Sequence, residues 1–210
     1  MQTSPPPARR WQRRKEARPS EIAQAALKLF IQKGYAATRL DEVARQAGVT
    51  KGTLYLYFPS KEELLKAAVR ETVLPSIQMA ETIVADTERP ATELLLMLVS
   101  EWVRLIQESP ANGLSKLVVA EAGNFPELAH FYLDEVIYRI RRVFGDVLQR
   151  GVERGEFRPV NIEYAIKEIM SPIILQTIWN HSFGPYRRER LDLPAFTQFH
   201  LDLLIRGLKA

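Results

Sequence analysis

Between Thr50 and Tyr57 the sequence reads TKGTLYLY, and four of these eight residues carry hydroxyl groups. The hydroxyls of Thr50, Thr53, Tyr55 and Tyr57 donate well to phosphate oxygens, and tyrosine does so with little side-chain entropy to lose. Lys51 is long enough to reach guanine O6 and N7, Leu56 suits a thymine methyl, and Gly52 lets the backbone approach a duplex closely. Lys61 lies at the start of the next element, where it adds a phosphate contact beside helix N-terminal amides. The chemistry of this cluster is that of a surface that meets nucleic acid.

Such a cluster works only if a rigid element presents it. Read alone, TLYLYF (53–58) looks like a strand. It lies between two helix boundaries, however, with no second strand-like run nearby to pair with, so a short helix is expected. Thr50 is its N-cap. On that helix Leu54 and Phe58 lie four apart and turn inward, which leaves Thr53, Tyr55, Leu56 and Tyr57 outward.

Upstream, Thr38-Arg39-Leu40-Asp41 has capping-box form and opens a second short helix, with Leu40, Val43, Ala44 and Ala47 inward and Gly48 at its end. A longer helix precedes it, capped by Ser20, carrying Ile22, Ala23, Ala26, Leu27, Phe30 and Ile31 at helical spacing and closed by Gly34. Ser60-Lys61-Glu62-Glu63 is a second capping box. Two short helices joined by a tight turn and braced by a third make a helix-turn-helix, whose second helix enters the DNA major groove.

The charge is distributed to match. Residues 1–61 hold 12 Lys and Arg against 4 Asp and Glu, while the remainder is net acidic. Residues 1–19 combine a proline run with six basic residues and read as a flexible basic arm. On charge alone that arm is either part of a basic partner surface or a disordered solubilising tail. The chain has no cysteine, so disulfides and thiolate metal sites are excluded. No apolar segment follows the basic N-terminus, and no run is long enough to span a bilayer. A cytoplasmic protein without membrane insertion is expected.

Catalysis is disfavoured. His130, His181 and His200 are scattered, and no nucleophile elbow or Gly-rich phosphate loop is present. Glu121, Glu127 and Asp134 lack a metal-ligating partner at tight spacing. No enzyme activity and no cofactor are implied.

Beyond residue 60, helical periodicity predicts helices near 61–86, 91–108, 111–122, 125–153, 161–181 and 194–208, separated by X-Pro breaks. The predicted fold is all-α, with the arm at 1–19, a helix-turn-helix domain at 20–66 and a larger helical domain at 67–210. Pro172 is expected to kink its helix around Glu168, either lining a pocket or bending round the core. Candidate ligand-binding residues are the aromatic and thioether groups Trp102, Phe131, Tyr132, Tyr138, Met170 and Trp179, with Gln107, Asn124, Gln176 and His181 as possible orienting groups. A mainly apolar or aromatic effector follows.

Residues 20–66 resemble the DNA-binding domain of the TetR family of bacterial transcriptional regulators. The carrying residues are Ala25 to Phe30, Gly34-Tyr35, Thr38, Val43-Ala44 and the whole of AGVTKGTLYLYFPSKEELL. The resemblance implies DNA contacts at Thr50, Lys51, Gly52, Thr53, Tyr55, Tyr57 and Lys61, with Arg39 contributing from the preceding helix. It implies repression as the default, and a homodimer in which two helices of each subunit form a four-helix interface. The wide apolar face of residues 162–178 and the last segment fit that interface through Ile166, Met170, Ile173, Ile174, Phe196, Phe199 and Leu203. A dimer would bind a palindromic operator. The competing reading is a non-enzymatic helical interaction module whose basic N-terminal region binds anionic membrane, or nucleic acid without sequence preference.

Overall fold

The computed structural model describes residues 7–109, 111–186, 188 and 191–209, with side chains from residue 18 onward. The chain divides after Glu71 into two units.

The first unit contains α1 (Pro7–Lys33), α2 (Leu40–Gln46), α3 (Lys51–Tyr57) and the start of α4 (Lys61–Val84). Helix α1 begins at Pro7, not at Ser20 as expected; residues 1–6 lie outside the described residues. The segment 8–18 is built from Ala, Arg, Gln, Lys and Glu together with one Trp, and most of these are good helix formers. Helical propensity outweighs the extended reading that the prolines suggested, and Pro19 lies within the helix. The inner face of α1 buries Ile22, Ala23, Ala26, Leu27, Leu29 and Phe30.

The turn from α1 to α2 corrects one detail. Thr38 does not cap α2, whose N-cap is Arg39 with no side-chain cap bond. Its buried hydroxyl instead donates backwards, to the carbonyls of Gly34 at 2.7 Å and Leu29 at 3.3 Å. Thr38 thus satisfies acceptors that the end of α1 leaves open. Gly48 has φ of 64°, so the α2–α3 turn uses the left-handed conformation that glycine adopts without strain.

The second unit runs from Thr72 and comprises the rest of α4 with α5 (Ala91–Glu108), α6 (Leu114–Glu121), α7 (Pro126–Tyr132), α8 (Tyr138–Glu153), α9 (Ile162–Phe183) and α10 (Leu193–Leu208). A π-helical turn, Leu133–Ile137, joins α7 to α8, so the single helix expected over 125–153 contains one wider turn. Pro172 lies inside α9, which runs from Ile162 to Phe183. The core gathers Leu94, Leu95 and Val99 of α5, Val147 and Leu148 of α8, Ile169 and Ile173 of α9, and Phe157. Each large aliphatic side chain so buried contributes roughly 1.5–3 kcal/mol.

Charged groups fix the α4–α5 corner on α8. Arg150 donates to the carbonyls of Val84 at 2.8 Å and Asp86 at 3.0 Å, and Arg154 to those of Thr87 and Arg89. Glu156 accepts from the backbone N–H groups of Ala91 at 2.9 Å and Thr92 at 3.1 Å, closing the N-terminus of α5. Arg139 grips Glu81 through two bonds of 3.0 and 2.8 Å.

Candidate functional site

The short helix α3 forms as expected. Thr50 Oγ1 accepts from the Thr53 N–H at 3.1 Å, which satisfies one orphan donor of the first turn. Leu54 is fully buried and Phe58 nearly so. Along the other faces Lys51, Gly52, Tyr55 and Leu56 are exposed, while Thr53 and Tyr57 are half-buried. Leu56 is 78% exposed, a high value for a leucine on a two-turn helix whose neighbour Leu54 shows none. The Lys51 ammonium lies 5.8 Å from the centre of the Tyr55 ring. A Cβ added at Gly52 would meet nothing nearer than Thr50 Oγ1 at 3.9 Å, so packing within the chain does not require the glycine.

Arg39 projects from the start of α2, with 75% of its side chain exposed, and pairs with Asp41 at 3.1 Å. The hydrogen bond from Arg39 holds the Asp41 carboxyl below its ordinary range. Lys61 behaves differently from expectation. Its ammonium donates to the carbonyls of Tyr35 at 2.8 Å, Ala36 at 3.1 Å and Thr38 at 3.2 Å, and stands 4.6 Å from the Tyr35 ring centre. Lys61 therefore ties the start of α4 to the α1–α2 turn, and its three donors are engaged within the chain.

A cavity of about 120 Å³ lies in the second unit between α4, α5, α6, the π-turn and α8. Trp102 and Tyr132 line it, as expected, together with Ile77, Leu105, Ile140 and Phe144. Trp102 packs edge-on to Phe144 at 6.4 Å. Four other candidates fall elsewhere. Phe131 and Met170 are buried outside the cavity wall, Met170 within the core, while Tyr138 and Trp179 are 47% and 42% exposed. These four sit on helix faces turned away from the cavity, and helical spacing alone did not distinguish one inner face from another. Of the polar candidates, Gln107 borders a separate groove between α5 and α10, and His181 Nε2 lies 2.5 Å from Asn112 Oδ1. Asn124 and Gln176 do not line the cavity either.

The sequence missed Ser76, Glu101 and Ser115, which do line it. Glu101 lies one residue before Trp102, and that adjacency to an aromatic candidate was the available signal. Arg104 binds Glu101 and Glu108 together, and its hydrogen bond keeps the Glu101 carboxyl below its ordinary range.

The residues expected at a dimer interface also divide. Ile166, Met170 and Ile173 are buried in the core of their own unit, and Ile174 and Phe196 pack against that core. The wide apolar face of α9 is wide because α6, α8 and α10 pack on it from within the same chain. Only Phe199 and Leu203 are exposed, at 64% and 55%; α9 adds Leu175, Trp179 and Phe183, four residues apart, at 56%, 42% and 49%. The rings of Trp179 and Phe183 lie 4.7 Å apart.

A capped two-turn recognition helix, set by a glycine turn on a preceding helix and braced by a third, defines a helix-turn-helix DNA-binding protein. Residues 22–68 match the family described as bacterial regulatory proteins, tetR family. Residues 84–192 match the tetracyclin repressor-like C-terminal domain. The chain belongs to the TetR family of bacterial transcriptional regulators.

Among curated relatives, the fatty acid metabolism regulator protein of Bacillus subtilis is 24% identical over 196 residues, 92% of this chain and 98% of that protein. The transcriptional repressor KstR2 of Mycobacterium tuberculosis is 25% identical over 196 residues, 91% and 93% of the two chains. The fold is shared with the fatty acid degradation regulator FadR of Bacillus halodurans, with a TM-score of 0.75 at 22% identity over 90% of this chain and 99% of the other. FadR of Bacillus subtilis, solved in complex with stearoyl-CoA, gives a TM-score of 0.71 at 24% identity, covering 90% and 98%. These relatives are named regulators and repressors, and this chain is likewise a non-enzymatic DNA-binding regulator. Among the described residues, no helix is long and apolar enough to cross a membrane.

Proposed function

We propose that the protein is a cytoplasmic homodimeric repressor that binds a palindromic operator and leaves it when a small, mainly apolar or aromatic ligand occupies the cavity. The outward face of α3 carries this reading. Lys51, Thr53, Tyr55, Leu56 and Tyr57 supply a base-reading ammonium, phosphate-binding hydroxyls and an apolar contact, and Gly52 leaves room for the duplex where the fold does not need a glycine. Arg39 adds a cation from α2 once the duplex competes with Asp41. Lys61 serves by holding the α1–α2 turn under this surface. The basic segment before Ser20 is the candidate for additional backbone or minor-groove contacts.

The exposed aromatic and aliphatic residues of α9 and α10 support dimerisation, since Leu175, Trp179, Phe183, Phe199 and Leu203 are costly to leave in water. The apolar cavity supports an effector site. FadR of Bacillus subtilis was solved with stearoyl-CoA, and KstR2 is named a ketosteroid regulator. The acyl chain of stearoyl-CoA is apolar, and so is most of the lining here.

Binding of the full chain to fragments selected from its source genome tests the reading. Tyr55→Phe should weaken specific and scrambled DNA alike, whereas Lys51→Ala should relax base preference at one position per half-site, by roughly 1–3 kcal/mol. Equal loss on both DNAs for Lys51→Ala would defeat the base-contact assignment, and DNA binding with no sequence preference would defeat the regulator reading.

A further inference from the structure

Among the described residues the cavity lining holds one charged side chain, Glu101, which pairs with Arg104, a cation it shares with Glu108. Lys, Arg and His are absent from the wall among the described residues, so an anionic group entering the cavity would find no counter-ion there. What the wall does hold is a set of neutral donors. Tyr132, Ser76 and Ser115 line the cavity, and the hydroxyl of Tyr132 makes no hydrogen bond to any described residue. Among the described residues no side-chain polar atom is both fully buried and unpartnered. The Tyr132 hydroxyl is therefore accessible, and its residue is part of the cavity wall.

A phenol with no partner in its own chain is free to donate to whatever occupies the cavity beside it. Burial pushes the Tyr132 phenol up to about 12, so at neutral pH it stays protonated and offers a donor. We propose that the effector carries an uncharged oxygen acceptor of the carbonyl class on an apolar body, and that Tyr132 is the specificity-determining residue that binds this oxygen. The inference rests on the reading of the cavity as the effector site. The 120 Å³ volume sets the scale of the first probes: engineered apolar cavities of about 150 Å³ take up benzene, so a single substituted ring is the right size.

The test uses the full chain and four ring compounds of matched shape: acetophenone, α-methylstyrene, benzoate and 1-phenylethylammonium. Titration calorimetry should show acetophenone binding about five- to tenfold more tightly than α-methylstyrene, which replaces the oxygen by a methylene group. Benzoate should not bind, and the ammonium compound should bind no better than the alkene. Tyr132→Phe should bring the ketone-to-alkene ratio close to one while leaving the alkene affinity unchanged. Ala80→Leu, which fills the cavity, should abolish binding of both.

If Tyr132→Phe does not fold, the carbonyl stretch of acetophenone bound to the natural chain replaces it; a stretch at the value found in an aprotic solvent overturns the assignment. Equal affinity for ketone and alkene, a ketone preference that survives Tyr132→Phe, tighter binding of either charged probe, or no binding of any probe overturns the inference as well. Operator binding is measured in parallel. Lost ligand preference with intact operator binding rejects this inference alone, whereas sequence-indifferent DNA binding with an intact ketone preference rejects the regulator reading alone.

Discussion

Replacing Lys61 by methionine separates two roles that a lysine beside a recognition helix can have. Methionine keeps the unbranched stem and similar helix propensity, so the change is confined to the ammonium group. That group donates to three carbonyls, of which the bonds to Tyr35 and Thr38 are part-buried and the bond to Ala36 is exposed. Water replaces the exposed bond at little cost. The two part-buried bonds are each worth about 1 kcal/mol after allowance for solvent, and the contact with the Tyr35 ring adds about 0.5 kcal/mol. Lys61→Met should therefore destabilise the first unit by roughly 2–3 kcal/mol, read from urea unfolding followed by circular dichroism. Operator affinity should fall only in proportion to the folded fraction lost, and the slope of log affinity against log salt should not change. A phosphate contact would behave in the opposite way, lowering the slope by about 1 with little loss of stability. Unchanged stability together with a reduced slope would refute the anchoring role.

Three further perturbations test other parts of the fold. A Cβ at Gly151 would lie 2.1 and 2.4 Å from ring carbons of Phe157, itself 1% exposed, so Gly151→Ala should cost about 2–3 kcal/mol despite the better helix propensity of alanine, and Phe157→Leu should recover part of that loss in the double variant. Thr50→Ala removes the cap of α3 and should cost about 1 kcal/mol in thermal unfolding while weakening DNA binding, whereas Thr50→Ser should keep both. Burial raises the Glu156 carboxyl, but the N–H donors of Ala91 and Thr92 outweigh it and hold the group below its ordinary range. A carboxylate so depressed stabilises the fold above its unfolded pKa of about 4.3 and loses that contribution as pH falls through the lower folded value. Glu156→Gln should accordingly flatten the acid side of the stability profile, and an unchanged profile would argue that the carboxylate does not hold α5.

The DNA-binding half was legible because its signals are local. Gly48, the Thr50 cap and the four-residue spacing of Leu54 and Phe58 each constrain the backbone within a few residues, and together they overrode the strand-like composition of TLYLYF. Thr38 misled, and the anchoring bonds of Lys61 went unread, because the carbonyls these residues satisfy belong to the end of α1 and the turn after it, up to 26 residues away from Lys61. In the second unit, periodicity identified helices but not their neighbours. Ile166 and Met170 look like interface residues until they are seen to lie in the buried core of their own unit, and Glu101, Ser76 and Ser115 become cavity residues only through the packing of three helices.

The π-turn at Leu133–Ile137 bears on how this chain tolerates change in length. A wider turn spreads one extra residue over nearly the same rotation as a regular turn, so removing that residue restores regular bonding and leaves the helix on either side facing almost as before. Tyr132 stands immediately before the turn, and Val136 within it, both on the cavity wall. A single deletion between 133 and 137 would therefore leave a sound helix with Tyr132 still on the cavity wall, whereas the same deletion in the regular part of α8 would turn everything upstream by about 100°. In this segment the loss of one residue is absorbed locally, and the wall of the cavity keeps its lining.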